Sequence, residues 1–184
     1  MAALKEWSIV CKALEEGRQV LLLRKGGIME YRKGFELKHE NFFLFPTFEH
    51  QDVNSIQSDY QNKIGSADSG SIDNTKAKID LYAQAFHICE IRNDTILPVL
   101  RKYHIWNDDY VKVRMKYNPT KALSVVLLKT FRLENPISLD VQDSWAGCKS
   151  WIPVDLTLEK NYPVYSDNEF NVISSHLKEV MEDQ

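Results

Sequence analysis

Residues 121–133, KALSVVLLKTFRL, give the clearest β-strand signal in the chain. Nearly every position from Leu123 to Leu128 is apolar, whereas a strand with one solvated face would alternate apolar and polar residues. The pattern therefore predicts a strand near the centre of a sheet, with both of its faces covered.

Other segments predict further strands. These are residues 79–91, residues 35–45 and residues 151–154, with Pro46 ending the second because proline has no N–H to donate. Residues 7–14 and 19–24 flank a short polar connection and favour a β-hairpin. A helix over residues 3–16 stays open as the alternative, since Leu4, Trp7, Cys11 and Leu14 follow helical spacing.

Three segments predict helices: residues 53–64, 95–117 and 167–182. In the second, Asn107 has the character of an N-cap and Asp108 follows it, although residues 111–117 also alternate as a strand with a basic face would. In the third, Ser166 and Glu169 form a capping-box pattern. The helix reading is preferred for 107–117 because both ends carry the appropriate signals.

The fold class predicted from these elements is α+β. We expect a single domain over residues 1–184, with a mixed or mainly antiparallel sheet, able to curl into a barrel, and about three helices. Residues 65–78, GSADSGSIDNTKAK, are polar and rich in Gly, Ser and Asp. A stretch of this composition predicts a mobile surface loop, because it buries too little to offset its ordering entropy.

Composition limits the classes of protein that fit. With 184 residues, 43% hydrophobic and 27% charged, the chain has the length and composition of a folded globular domain. Its net charge of −3 gives no overall reason to bind nucleic acid or an anionic membrane. Residues 18–38 are an exception, because six cations there oppose two carboxylates, 6 − 2 = +4.

Cysteine usage and hydropathy indicate a cytoplasmic protein without membrane attachment. Cys11, Cys89 and Cys148 are odd in number and contain no CxxC pair, which argues against a disulfide framework and a zinc knuckle. The first residues lack a secretory pattern, and the apolar run at 123–128 is too short to span a bilayer. No oligomeric state and no cofactor is indicated.

The first candidate for ligand binding is the segment Arg24-Lys25-Gly26-Gly27 at the end of an apolar strand. Glycines there let the backbone approach a ligand closely, and the two cations supply positive charge, so the combination suits a phosphate or carboxylate. The segment matches neither a Walker loop nor a dinucleotide fingerprint. An equally weighted alternative is a simple turn with solvated cations.

The second candidate is Glu49-His50-Gln51, which ends the aromatic run 42–48. His50 is the candidate proton-transfer residue, with Glu49 or Glu30 orienting it, and Gln51 joins the ligand-binding set. No zinc motif fits the spacing of the histidines, so no metal ligand is assigned. The alternative is that His50 caps a helix and Glu49 pairs with Arg24 or Lys25.

Three functions are compatible with these residues. The favoured one is binding of nucleic acid or another phosphate-bearing ligand at the basic Gly-Gly turn, next to the Glu-His-Gln segment. The first alternative is a metal-dependent hydrolase or nuclease that uses His50 with Glu49 or Glu30. The second is a protein-interaction domain without catalysis, so whether the chain is an enzyme stays open.

Three motifs carry a family resemblance: LLLRKGGI at 21–28, FLFPTFEHQ at 43–51 and VVLLKTFRL at 125–133. With them the chain resembles, over nearly its whole length, an uncharacterised bacterial family catalogued as a domain of unknown function. That resemblance implies no activity and no catalytic residue. Residues 125–137 and 147–154 are also similar to PUA-like β-barrels, which implies a barrel-like sheet and recognition of RNA or modified bases.

Overall fold

In the described residues of the computed structural model, seven β-strands form one curled, half-barrel sheet, against which four α-helices pack. The structure describes residues 1–25, 35–64, 75–147 and 149–182. The strands are β1 (Ala2–Trp7), β2 (Leu21–Arg24), β3 (Asn41–Thr47), β4 (Lys76–Ile91), β5 (Leu123–Asp140), β6 (Trp151–Pro153) and β7 (Asn161–Pro163). The helices are α1 (Ser8–Glu15), α2 (Leu97–Leu100), α3 (Asp108–Lys116) and α4 (Asp167–Glu182). The predicted α+β single-domain class is confirmed.

The sheet has the strand order β2-β5-β4-β3-β1-β6, and β7 also pairs with β5. The β1–β3 pair is parallel and the other pairs are antiparallel, so the sheet is mixed. The long β4–β5 ladder shifts register at Ile79/Leu81 and again at Ala85/His87. Such irregularities increase local twist and bend the strand, which explains how the sheet curls. The interior position predicted for residues 121–133 is confirmed, because β5 lies between β2 and β4.

The sheet separates two apolar cores. On β3, Phe42 and Leu44 pack in one core, whereas Phe43 and Phe45 pack in the other. Since successive side chains of a strand point to opposite faces, this division explains why residues 42–45 are continuously apolar. Helix α1 belongs to the first core and is buried around most of its circumference.

Several predicted element boundaries are wrong. The preferred hairpin over 7–24 is wrong: residues Ala2–Trp7 form β1, and Ser8–Glu15 form α1, which lies within the alternative helix over 3–16 because its apolar residues follow helical spacing and pack into the first core. Residues 53–64 form two short 3-10 turns instead of a helix. Pro46 lies inside β3, where pairing with β4 has already stopped at Phe43, so its missing N–H disrupts no ladder on that side.

The helix-capping predictions are confirmed. The Asn107 side chain accepts a hydrogen bond of 2.9 Å from the backbone N–H of Tyr110 at the start of α3. At the start of α4, the Glu169 carboxylate accepts from the Ser166 backbone N–H at 2.9 Å, and the Ser166 hydroxyl accepts from the Glu169 N–H at 3.3 Å. The predicted helix over 95–117 is divided into α2, a 3-10 turn and α3.

The predicted loop over 65–78 lies only partly within the described residues. Strand β4 begins at Lys76 and therefore includes the last three residues of the predicted loop. Residues 65–74 lie outside the described residues. No helix within the described ranges is long and apolar enough to cross a bilayer.

Arg24 connects the two ends of the sheet. Strand β2 begins the strand order, and β1 and β6 end it. From β2 the Arg24 guanidinium donates to the Glu6 carboxylate at 2.9 Å, to the Lys5 carbonyl at 3.3 Å and to the Ser150 hydroxyl at 3.0 Å. Its side chain is 13% exposed and that of Glu6 is 6% exposed. We call this junction the seam.

The Arg24–Glu6 pair predicts a large loss of stability when only one partner is removed. Arg24→Met leaves a buried carboxylate without its cation, which costs about 3 kcal/mol of unfolding free energy. The double variant Arg24→Met/Glu6→Met should recover at least about half of that loss, because it no longer contains an unpaired buried carboxylate. Urea denaturation measures all three values.

The matched control is the exposed pair Arg18–Asp59, whose N–O distance is 3.0 Å and whose side chains are 57% and 60% exposed. Arg18→Met should cost less than about 1 kcal/mol, because surface pairs contribute little. An equal cost for Arg18→Met and Arg24→Met would contradict a stabilising role of the seam.

His104 is buried next to a bend that Gln57 fixes. The Gln57 amide donates to the carbonyls of Arg101, His104 and Trp106 at 3.0, 2.8 and 3.2 Å. His104 is 4% exposed, and this burial lowers its imidazole pKa to about 4. The folded protein therefore keeps the ring neutral at a pH where the unfolded chain has already protonated it.

This difference predicts acid sensitivity. The unfolded chain binds the proton near pH 6.5 and the folded chain only near pH 4, so the unfolding free energy falls as the pH drops through that interval. Between pH 7.5 and pH 5 the wild type should lose about 2 kcal/mol that His104→Gln does not lose. Denaturation at both pH values tests this, with exposed His39→Gln as the control. If His104→Gln retains the full wild-type pH dependence, burial of His104 is not its cause.

Candidate functional site

Arg24 and Lys25, which the sequence places together, occupy different clefts. Arg24 lies in the seam, whereas the Lys25 ammonium donates a hydrogen bond to the Met115 carbonyl at the end of α3. Successive side chains of an extended chain point to opposite sides, so neighbours in sequence at the end of β2 separate in space. The structure thus divides the predicted cation pair.

The first cleft follows the seam and has a volume of about 200 Å³. Among its lining residues are Arg24, Glu49 and His50, so the structure does bring part of the two predicted segments together. We call it the seam cleft. Its cations are Lys5, Arg24, Arg114 and Lys149, and its carboxylates are Glu6 and Glu49.

The predicted site residues at the seam cleft make contacts within the protein. Glu49 pairs with the Lys5 ammonium at 3.0 Å, which also donates to the carbonyls of Trp145 and Gly147. The Gln51 side chain accepts a hydrogen bond of 2.9 Å from the Ile9 backbone N–H in the first turn of α1. Gln51 is thus a capping partner of α1. The predicted residues Gly26, Gly27 and Glu30 lie outside the described residues.

His50 is exposed and has a backbone φ of 60°. This left-handed conformation is uncommon for a side chain other than glycine and costs about 1 kcal/mol. Across the described ranges, no three His, Cys, Asp or Glu side chains are grouped closely enough to hold a metal ion. Proton transfer by His50, oriented by Glu49 or Glu30, stays a prediction.

The second cleft has a volume of about 390 Å³ and lies between the end of β2, the segment after β4 and the end of α3. We call it the basic cleft. Its described lining contains five cations and a single carboxylate, that of Asp94. The cations are Lys25, Arg92, Lys112, Lys116 and Lys121.

Among the described residues, the cations of the basic cleft outnumber its carboxylates five to one. Within the part of the chain that the structure describes, none of the five has an ion-pair partner. Arg92, Lys112 and Lys116 are exposed, and Lys121 is half-buried. Removal from water lowers the pKa of the buried Lys25, and the nearby charges of Arg114 and Arg92 lower it further. The charges of Lys25 and Arg92 therefore repel each other.

Helix α3 separates the two clefts. Lys112 and Lys116 are four residues apart and face the basic cleft, whereas Tyr110 and Arg114 have the same spacing and line the seam cleft. The Arg114 guanidinium lies 5.9 Å from the centre of the Tyr110 ring. A single turn of helix thus supplies positive charge to both sides.

The sequence patterns described above do not place Arg92, Lys112, Lys116 or Lys121 in a site. One signal was present: the alternation of basic residues over 111–117, which predicted a basic face only if that segment were a strand. The i, i+4 spacing of Lys112 and Lys116 predicts the same charge on one side of a helix. Arg92 and Lys121 come from other segments, so their place in the basic cleft could be recognised only from the folded structure.

Comparison with known proteins identifies the family. The chain belongs to the family described as "Domain of unknown function (DUF1802)", whose model matches residues 3–176. No curated protein matches the chain. Among solved structures, the chain is similar to a mutant of the ZmASCH protein from Zymomonas mobilis, with a TM-score of 0.46 and 12% sequence identity. The alignment covers 95% of this chain and 96% of that one.

Proposed function

We propose that this protein binds nucleic acid through its phosphate groups, and that the basic cleft is the binding surface. The observation that carries this is the set of five cations without ion-pair partners in the described residues, opposed by Asp94 alone. Phosphate contacts by Lys and Arg supply most of the affinity of non-specific nucleic-acid binding. The interaction is therefore electrostatic and only weakly dependent on base sequence.

Local charge matters here more than total charge. The whole chain carries −3, so the excess of positive charge at the basic cleft is a local feature that an overall basic composition does not explain. The negative end of the α3 dipole stabilises cations in the last turn of that helix, such as Lys116. Arg92 and Lys121 belong to other segments, so α3 does not account for them.

A strand of nucleic acid fits this arrangement better than one isolated phosphate. The cations come from four separate segments and line a cleft of about 390 Å³, which allows several phosphates to be contacted at once. Of the residues predicted from the sequence, Lys25 lies in this surface. Its buried ammonium is fixed by the Met115 carbonyl and adds positive charge beneath the exposed cations.

The test is binding of fluorescent single strands of equal length, one of uridine and one of thymidine nucleotides, over a series of salt concentrations. Lys112→Ala with Lys116→Ala should weaken binding about tenfold or more and reduce the salt slope by about 1.4, since each single-strand phosphate contact contributes about 0.7. Both strands should respond alike. Inorganic phosphate and ATP serve as competitors that reveal preference for a small ligand.

Lys160→Ala combined with Lys178→Ala is the matched control, because it also removes two lysine charges. Lys160 pairs with Glu134, which lies about 36 Å along β5 from Leu123, the first residue of that strand, and Lys178 lies over the Phe86 ring. This variant should keep the wild-type affinity and salt slope. Equal losses in both double variants would show only an effect of net charge. Wild-type binding in Lys112→Ala/Lys116→Ala, or no binding at low salt, would refute the proposed function.

A further inference from the structure

The ion pair between Lys5 and Glu49 lines two clefts. One is the seam cleft, and the other has a volume of about 620 Å³. This other cleft lies among α1, the end of β3, the start of β4 and residues 141–146. We call it the α1 cleft. Its described lining shares no residue with the basic cleft, so its properties are independent of the proposed nucleic-acid binding.

The α1 cleft has an apolar floor. Phe45 and Trp145 line it, and their rings meet edge to face at 5.7 Å. Phe48 and Val141 also line it, although they are 37% and 38% exposed to solvent. Volumes of about 300–1,000 Å³ with mainly apolar walls are typical of sites for small organic ligands. The floor thus suits an aromatic or apolar group.

The indole N–H of Trp145 is a buried donor without an acceptor. Trp145 is 5% exposed, and its Nε1 has no hydrogen-bond partner in the described structure, although its backbone carbonyl accepts from Lys5 at 3.1 Å. A buried donor that has lost water without gaining an acceptor destabilises the protein.

Charges at the rim balance one another. Three ion pairs, Lys5–Glu49, Lys12–Glu15 and Lys78–Asp80, have N–O distances of 3.0, 2.9 and 2.8 Å. Lys76 and Asp143 remain, and both are exposed and have no ion-pair partner within the described ranges. Among the described residues, the rim therefore offers one unpaired cation and one unpaired carboxylate, which is complementary to a molecule carrying both charges.

We propose that the α1 cleft binds a zwitterionic aromatic small molecule of the amino-acid or dipeptide type. The aromatic ring packs on Phe45 and Trp145. The carboxylate of the ligand pairs with Lys76, and its ammonium group pairs with Asp143. Unlike the basic cleft, this site does not attract polyanions, because its lysines and carboxylates are equal in number, four of each.

The test follows the Trp145 indole signal in ¹H–¹⁵N NMR spectra of the full chain, assigned by its absence in Trp145→Phe. L-tryptophan should shift this signal, and tryptamine or indole-3-propionate, which lack one of the two charged groups, should bind at least about fivefold more weakly. Asp143→Asn should weaken L-tryptophan binding by a similar factor and leave indole-3-propionate unchanged. Lys76→Gln should weaken L-tryptophan equally and leave tryptamine unchanged.

Lys116→Ala is the control, because it removes a charge from the basic cleft and should not alter L-tryptophan binding. Both rim substitutions are at exposed positions, and the NMR spectrum itself reports whether each variant is folded. The proposal is overturned if about 10 mM L-tryptophan leaves the Trp145 signal unchanged. It is also overturned if tryptamine and indole-3-propionate bind the wild type as tightly as L-tryptophan does, or if the rim variants bind L-tryptophan as tightly as the wild type does. Nucleic-acid binding measured on the same samples keeps the two proposals separate.

Discussion

The fold depends on how a curled but open sheet joins its two ends. Strand β2 begins the strand order and β1 and β6 end it, and Arg24 connects them through Glu6, the Lys5 carbonyl and Ser150. An ion pair with this little exposure is stable only when both partners and their hydrogen bonds are present. The seam therefore fixes where β2 ends and which side of the sheet receives the next residue.

The position of Lys25 follows from that constraint. With Arg24 held in the seam, Lys25 turns to the other side and contacts the end of α3. Helix α3 then separates the seam cleft from the basic cleft and gives Arg114 to the first and Lys116 to the second. The cations of the seam cleft are partly neutralised by ion pairs with Glu6 and Glu49, whereas those of the basic cleft form no ion pair within the described residues. This difference is our reason for proposing phosphate binding at the basic cleft.

The sequence predicted those elements that depend on interactions between residues close together in the chain. The continuous apolar run of β5, the Asn107 cap of α3 and the capping box of α4 depend on neighbouring residues, and all three are confirmed. Helix α1 lies within the helix over residues 3–16 that was kept as the alternative, and the preferred hairpin was wrong because short apolar runs fit a strand and a helix about equally well. The site could not be assembled from the sequence, because Arg24 and Glu6 are 18 residues apart and the basic cleft joins segments as distant as Lys25 and Lys121. Adjacency of Arg24 and Lys25 in sequence suggested one anion site, whereas strand geometry separates them.

The central claim is that phosphate binding occurs on the Lys25 side of β2 and not on the Arg24 side. The most direct measurement is a backbone-amide NMR titration of the full chain with a short single-stranded oligonucleotide. We expect the largest shift changes at Arg92, Lys112, Lys116 and Lys121, with little change at His50 and Lys149. Changes concentrated at His50 and Lys149, with none on α3 facing the basic cleft, would contradict the account.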